Sequence, residues 1–174
     1  MALVRILVDG YNLIAHIQEQ ANFRHYQRMG LLHNWPELAA GAARHSETAR
    51  EALVEMLTQY QDACGTPVTV FFDGTGARRS KPKNQSGSAV EVLFSSSGQT
   101  ADDLIERAAH RFQDYGEVLV VTDDFAERDT VSGFGGAVAS CANFIRMIGQ
   151  TLGDLQEDLN QHNRAARNSF RRPH

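Results

Sequence analysis

The sequence predicts an α/β fold with a mostly parallel sheet flanked by helices. Two observations predict it. Four short, valine-rich apolar runs each end in turn-forming residues, as buried strands do. Between them lie segments with apolar residues at helical spacing, and strands alternating with helices build parallel sheets. The length of 174 residues suits a single domain with a core of its own.

Each element has its own signal. Residues 3–8 (LVRILV) form the first run and end in Asp9-Gly10. Residues 46–63 open with Ser46 and Glu47, and Leu53, Leu57 and Tyr60 repeat at helical spacing. Residues 67–72 (PVTVFF) form the second run and end in Asp73-Gly74. Residues 89–94 (AVEVLF) form another, followed by Ser95-Ser96-Ser97-Gly98. A helix is expected over 101–114, with Leu104, Ile105, Ala108 and Phe112 on one face. Thr100 is a good N-cap for it, and Asp102 and Asp103 in its first turn suit the helix dipole. Residues 117–121 (EVLVV) end in Thr122-Asp123-Asp124, and residues 137–159 read as a last helix.

Three segments break this order. Residues 18–36 are polar and aromatic and read as a loop or short helix. Residues 74–88 hold three Gly, one Pro and four basic residues and read as a mobile loop. Residues 160–174 have no apolar periodicity and read as a basic disordered tail beyond a domain spanning 1–159.

The net charge of −4 argues weakly against a nucleic-acid binder, but it averages over an asymmetry. Four of the 17 basic residues lie in 164–174, where there is no acid. The other 13 face 21 acids, a net −8 over residues 1–163. The longest apolar runs are about five residues, far short of the roughly 20 that a membrane span needs. The N-terminus lacks the long apolar region and cleavage site of a signal peptide. Cys64 and Cys141 form neither a framework nor a metal-type pair. The sequence therefore predicts a cytoplasmic protein with reduced interior thiols and no membrane partner.

The informative feature is where the acids fall. Asp9, Asp73 and the Asp123/Asp124 pair each follow a predicted strand, and Asp102 and Asp103 open the helix after another. In open parallel sheets, ligands bind in the crevice outside the carboxyl ends of the strands. For one acid alone, a turn or a helix cap is the ordinary reading. Recurrence after each strand reverses that. Carboxylates gathered in one place raise one another's pKa unless a cation neutralises them. Mg²⁺ or Mn²⁺ suits an all-oxygen set facing phosphate.

Five segments together resemble the NYN-domain family, in its YacP-like branch. They are Ile6-Leu7-Val8-Asp9-Gly10-Tyr11-Asn12-Leu13-Ile14, Phe71-Phe72-Asp73-Gly74, Gln99-Thr100-Ala101-Asp102-Asp103-Leu104-Ile105-Glu106, Val121-Thr122-Asp123-Asp124-Phe125-Ala126-Glu127, and Gly135-Gly136-Ala137 followed by Ser140. The resemblance covers about residues 3–150. It implies a three-layer Rossmann-like fold similar to that of PIN-domain nucleases. It also implies metal-dependent endoribonuclease activity, in some relatives on ribosome-associated RNA. By the same resemblance Asp9, Asp73, Asp102 and Asp124 are the metal ligands, Asn12 is a polar partner of the first acid, and Asp103 is a further catalytic acid. Asp123 stands where relatives commonly have Ser. The segment 18–36 and the arginine-rich tail depart from the family pattern.

These residue types fit phosphodiester hydrolysis, in which bound metal activates water and offsets developing charge. Asn12 and Thr122 would orient carboxylates or waters, and His16 and His25 read as surface residues. RNA affinity must come from bases: Arg78, Arg79, Lys81 and Lys83 beside Asp73-Gly74, and Arg164, Arg167, Arg171 and Arg172 in the tail. Phe23, Tyr26 and Trp35 are candidates to stack on unpaired bases, although Trp35 also suits packing over the core.

Other chemistries fit less well. A haloacid-dehalogenase-like phosphatase wants a second acid two residues after the first, and position 11 is Tyr. A receiver domain wants paired acids at the first strand end, where Asp9 stands alone. A dinucleotide-binding domain wants GxGxxG after that strand, and Asp9-Gly10-Tyr11-Asn12-Leu13-Ile14 lacks it. The non-enzyme alternative is an RNA- or ribosome-binding module with a degenerate site. Oligomeric state has no signal in the sequence.

Overall fold

The computed structural model describes residues 2–39, 43–74 and 90–170. Among these residues five strands form one sheet: β1 (Leu3–Asp9), β2 (Val68–Phe72), β3 (Glu91–Phe94), β4 (Glu117–Val121) and β5 (Ala137–Ala139). Their order is β3-β2-β1-β4-β5, and every neighbouring pair is parallel. The chain builds outward from β1 to β2 and β3, then returns to the other side of β1 for β4 and β5. The order therefore reverses between β1 and β4, which makes the carboxyl ends of these two strands the natural ligand crevice.

Among the described residues, six α-helices flank the sheet or one another: α1 (Gly10–Gln18), α2 (Gln20–Arg28), α3 (Glu47–Cys64), α4 (Ala101–Phe112), α5 (Phe125–Gly133) and α6 (Cys141–Phe170). The alternation within β1 shows how they divide. Ile6 and Val8 point into a core shared with Leu13, Ile14, Leu53 and Phe144, from α1, α3 and α6. Leu7 points the other way, against Ile105, Ala109 and Val131 of α4 and α5. Residues of β1 are thus buried on both faces, so the strand reads as a continuous apolar run.

Local chemistry sets the helix boundaries. The Ser46 hydroxyl accepts from the Ala49 N–H at 3.1 Å to start α3, and Gly65, at φ +75°, ends it. Gly10 begins α1 directly under β2, where a Cβ would fall on the Phe72 ring. That crowding, rather than turn flexibility, is the reason for glycine after Asp9.

Two expectations change. Residues 137–139 form a strand paired with β4, and the last helix starts only at Cys141, where the Ser140 hydroxyl accepts from the Asn143 N–H at 3.2 Å. Segment 18–36, expected as a loop or short helix, contains the short helix α2 and the start of a 3-10 turn, Pro36–Leu38. The second change concerns residues 160–174, read above as a disordered tail beyond a domain ending at 159. Up to Phe170 they continue α6, a helix of 30 residues. The first turns of α6 are docked through Phe144, Ile145 and Ile148, so the helix nucleus, the unfavourable step, is already formed. Extension through Leu, Gln, Glu, Arg and Ala then adds one hydrogen bond per residue. Residues 153–169 are exposed throughout, so the missing periodicity reflects a lack of burial and not a lack of helix. The basic loop residues Arg78, Arg79, Lys81 and Lys83, with Arg171 and Arg172, lie outside the described residues.

Candidate active site

Asp9 is the last residue of β1 and caps α1, accepting from the Asn12 N–H at 3.2 Å. Burial pushes its carboxyl up to about 7; the Asn12 N–H opposes that rise, while Asp102, Asp73 and Asp124 add to it. Asp102, in the first turn of α4, is also raised, first by burial and then by Asp124 and Asp73.

The third member of this group is Glu127, in the first turn of α5. Carboxylate oxygens of Asp9, Asp102 and Glu127 lie within 4.8 Å of one another. Glu127 is 2% exposed, and neither of its carboxylate oxygens has a hydrogen-bond partner of good geometry. Burial drives its carboxyl to about 8, with the nearby Thr122 hydroxyl opposing and Asp102, Asp9 and Asp124 adding. A buried, unpartnered carboxyl aimed at two other acids is an unfavourable arrangement for a protein alone. A divalent cation resolves it by supplying charge to all three, so the donor set fits an oxygen-seeking metal.

Sequence reasoning missed Glu127. Its place three residues after Asp124 suggests a residue serving the helix dipole. A stronger signal lay in the register of α5: Glu127 and Val131, one turn apart, are its two buried residues. A carboxylate on the apolar face of an amphipathic helix calls for a partner.

The other expected acids stand around this trio. Asp73 accepts from the Ala101 N–H at 2.7 Å and so ties the end of β2 to the start of α4. Asp124 caps α5, accepting from the Ala126 and Glu127 N–H groups at 2.9 and 3.3 Å. Both are exposed, and both act on Asp9 and Asp102 through their charge. Asp103 is used elsewhere. Its carboxylate accepts from the Thr100 N–H at 3.0 Å while the Thr100 hydroxyl accepts from its own N–H at 3.2 Å, a reciprocal cap.

Asp123 and Asn12 brace the wall behind the acids. The Asn12 side-chain oxygen accepts from the Asp123 N–H at 2.8 Å and from the Cys141 thiol at 3.3 Å. Asp123 accepts from the Cys141 N–H at 2.9 Å and pairs with His16 Nδ1 at 3.2 Å. His16 Nε2 lies 2.6 Å from the Tyr26 hydroxyl. His16 is therefore a half-buried brace rather than the plain surface residue expected, whereas His25 is exposed. Burial pushes the Cys141 thiol up, which keeps it protonated and able to donate. The Thr122 hydroxyl accepts from the Asp124 N–H at 3.1 Å and so orients the turn.

Tyr26 and Trp35 are 6% and 3% exposed, packed in the core and closed to stacking on bases, and Phe23 packs against the same cluster. Phe125, by contrast, is 77% exposed beside Asp124, with the Arg128 guanidinium 5.7 Å from its ring centre. Arg164 and Arg167 are exposed near the end of α6.

A parallel sheet in this order, with an acidic trio at its switch point, has the form of a PIN-like fold. The chain belongs to the YacP-like NYN domain family, whose model matches residues 6–173. The match takes in nearly all of the arginine-rich segment, which is therefore not an addition to the family's domain. The chain is 29% identical to the YacP protein of Bacillus subtilis (strain 168) over 144 residues, covering 82% of this chain and 74% of that one. The crystal structure of Rae1 (YacP) from Bacillus subtilis is similar with a TM-score of 0.69, at 25% identity, over 97% of this chain and 86% of that one. A crystal structure of a point mutant of the same Rae1 protein gives a TM-score of 0.66 at 26% identity, over 91% and 82%.

Proposed function

We propose that this chain is a metal-dependent endoribonuclease that hydrolyses single-stranded RNA with Mg²⁺ or Mn²⁺. The observation that carries the reading is the buried Asp9–Asp102–Glu127 trio, with both Glu127 oxygens unpartnered, at the switch point of a PIN-like sheet. When bound, the metal supplies a water of lowered pKa and charge to offset that developing on phosphate. Asp9, Asp102 and Glu127 would hold it. Asp73 and Asp124 each hold a helix start through backbone N–H groups and add negative charge around the trio. Asn12, Asp123 and Thr122 keep the two strand ends in register with each other.

RNA affinity must overcome that acidic field. Phe125 offers a ring for base stacking next to the acids, and Arg128 offers a cation beside it. The bases at 78–83 and in 164–172 supply phosphate contacts that are strong at low salt and indifferent to sequence. Presentation of the RNA on the ribosome completes the proposal and comes from the family resemblance; the cytoplasmic setting comes from the sequence reading of reduced thiols and no signal peptide.

The test is cleavage of a labelled single-stranded RNA with Mn²⁺ and with EDTA. Cleavage that needs metal, and is lost in Asp9→Asn, Asp102→Asn and Glu127→Gln while the circular dichroism spectrum is kept, supports the reading. A wild type that binds RNA but never cleaves it, alone or on ribosomes, makes the chain an RNA-binding module instead.

A further inference from the structure

A cleft of about 560 Å³ opens on the other side of the Asn12–Asp123 wall, lined by Asn12, His16, Gln18, Glu19, Arg44 and Asp123. We infer that it is a nucleotide subsite, taking the base and sugar of one residue of the RNA strand with its phosphate at Arg44. The inference rests on the nuclease reading, because that reading puts the strand at the neighbouring acids.

Four features carry it. The volume falls within the range of ligand pockets, ample for a nucleoside. The cleft shares its wall with the trio: the Asn12 N–H holds Asp9, and Asp123 adjoins Asp124. A strand running from the acids past this shared wall would reach the cleft. The Gln18 side-chain nitrogen is buried without a hydrogen-bond partner. Gln18 also lines the cleft, and a turn of its carboxamide would present both a donor and an acceptor to a base edge. Arg44 is exposed at the rim, and no hydrogen bond or ion pair among the described residues holds it.

The rest of the lining sets the orientation. Both ring nitrogens of His16 are engaged, by Asp123 and Tyr26, so its ring is a fixed wall rather than a donor to the ligand. Asp123 and Glu19 are anionic, and Glu19 already accepts from the Asn22 side chain at 3.2 Å. They keep phosphate off the inner wall and leave Arg44 as its contact. The acidic interior and cationic rim thus place the base inward and the phosphate outward.

The experiment titrates AMP, GMP, CMP and UMP into the ¹⁵N-labelled full chain in EDTA, so that binding is read without the metal site. Shifts at the amides of Asn12, His16, Gln18 and Asp123 are expected, with unequal affinities among the four bases. Arg44→Ala should weaken all four on the order of tenfold. Gln18→Ala should narrow the differences among them by about fivefold. In cleavage mapping of a random RNA pool, Gln18→Ala should lose a base preference at one position near the cut. No nucleotide-dependent shifts in the cleft, with the same cleavage map for wild type and Gln18→Ala, would overturn the subsite and leave the nuclease standing. Nucleotide binding by a wild type that never cleaves RNA would instead overturn the nuclease reading and leave the cleft a nucleotide site.

Discussion

Replacing Glu127 by glutamine tests the site through stability, independently of any RNA. The carboxyl titrates at 4.5 in an ordinary setting and at about 8 when buried against Asp102 and Asp9. The folded state therefore holds this proton more tightly than the unfolded chain does. The contribution of the group to stability is full below pH 4.5 and is lost as pH rises towards 8. Within that window the metal-free protein loses up to about 1.4 kcal/mol per pH unit from Glu127 alone, or about 3.5 kcal/mol between pH 5 and 8. The amide introduced by Glu127→Gln keeps the shape and carries no charge, so the variant should gain on the wild type as pH rises. Urea denaturation in EDTA across this pH range measures the difference. Addition of Mn²⁺ at the alkaline end should then reverse the order, because only the wild type has the full ligand set. At about a hundred times the dissociation constant the gain is about 2.7 kcal/mol. A difference between the two proteins that stays constant with pH, or equal stabilisation of both by Mn²⁺, refutes the burial-and-ligand argument for Glu127.

Further outcomes follow from individual contacts. Asp103→Ala removes half of the reciprocal cap on α4 and should cost about 0.5–2 kcal/mol in urea denaturation while metal-dependent cleavage persists; lost cleavage at unchanged stability would restore a catalytic role for Asp103. Phe125→Ala should weaken single-stranded RNA binding by about 1–3 kcal/mol in fluorescence anisotropy, and unchanged affinity would show that the exposed ring does not meet the strand. Gly10→Ala drives a methyl group into the Phe72 ring and should destabilise the fold by about 1–3 kcal/mol, read as a lowered melting temperature. Deletion of 161–174 should leave that temperature nearly unchanged, since residues 161–169 are exposed, and should flatten the salt dependence of RNA binding; a large drop in melting temperature would mean that the segment is docked.

Much of the architecture was legible because its determinants are local. Valine-rich runs ending at Asp9, Asp73 and Thr122, and the Thr100 and Ser46 caps, announce strands and helix starts through backbone sterics and hydrogen-bond chemistry. β5 was not legible: Ala137-Val138-Ala139 has too few residues to show a period, and only pairing with β4 makes it a strand. The helix through Phe170 was hidden for a related reason, since exposed residues carry no burial pattern.

The candidate site divides along the same line. By itself the sequence determined that acids stand at the carboxyl ends of strands, because a strand must end in a turn and these turns are built on Asp. Only the tertiary structure decided which of them meet. Asp73, Asp103 and Asp124 commit carboxylate oxygens to the N–H groups of helix starts, an allocation that depends on where α4 and α5 begin in space. Glu127 joins Asp9 and Asp102 because α5 packs that face onto the sheet, and burial then turns an ordinary helix glutamate into the carboxyl most in need of a cation.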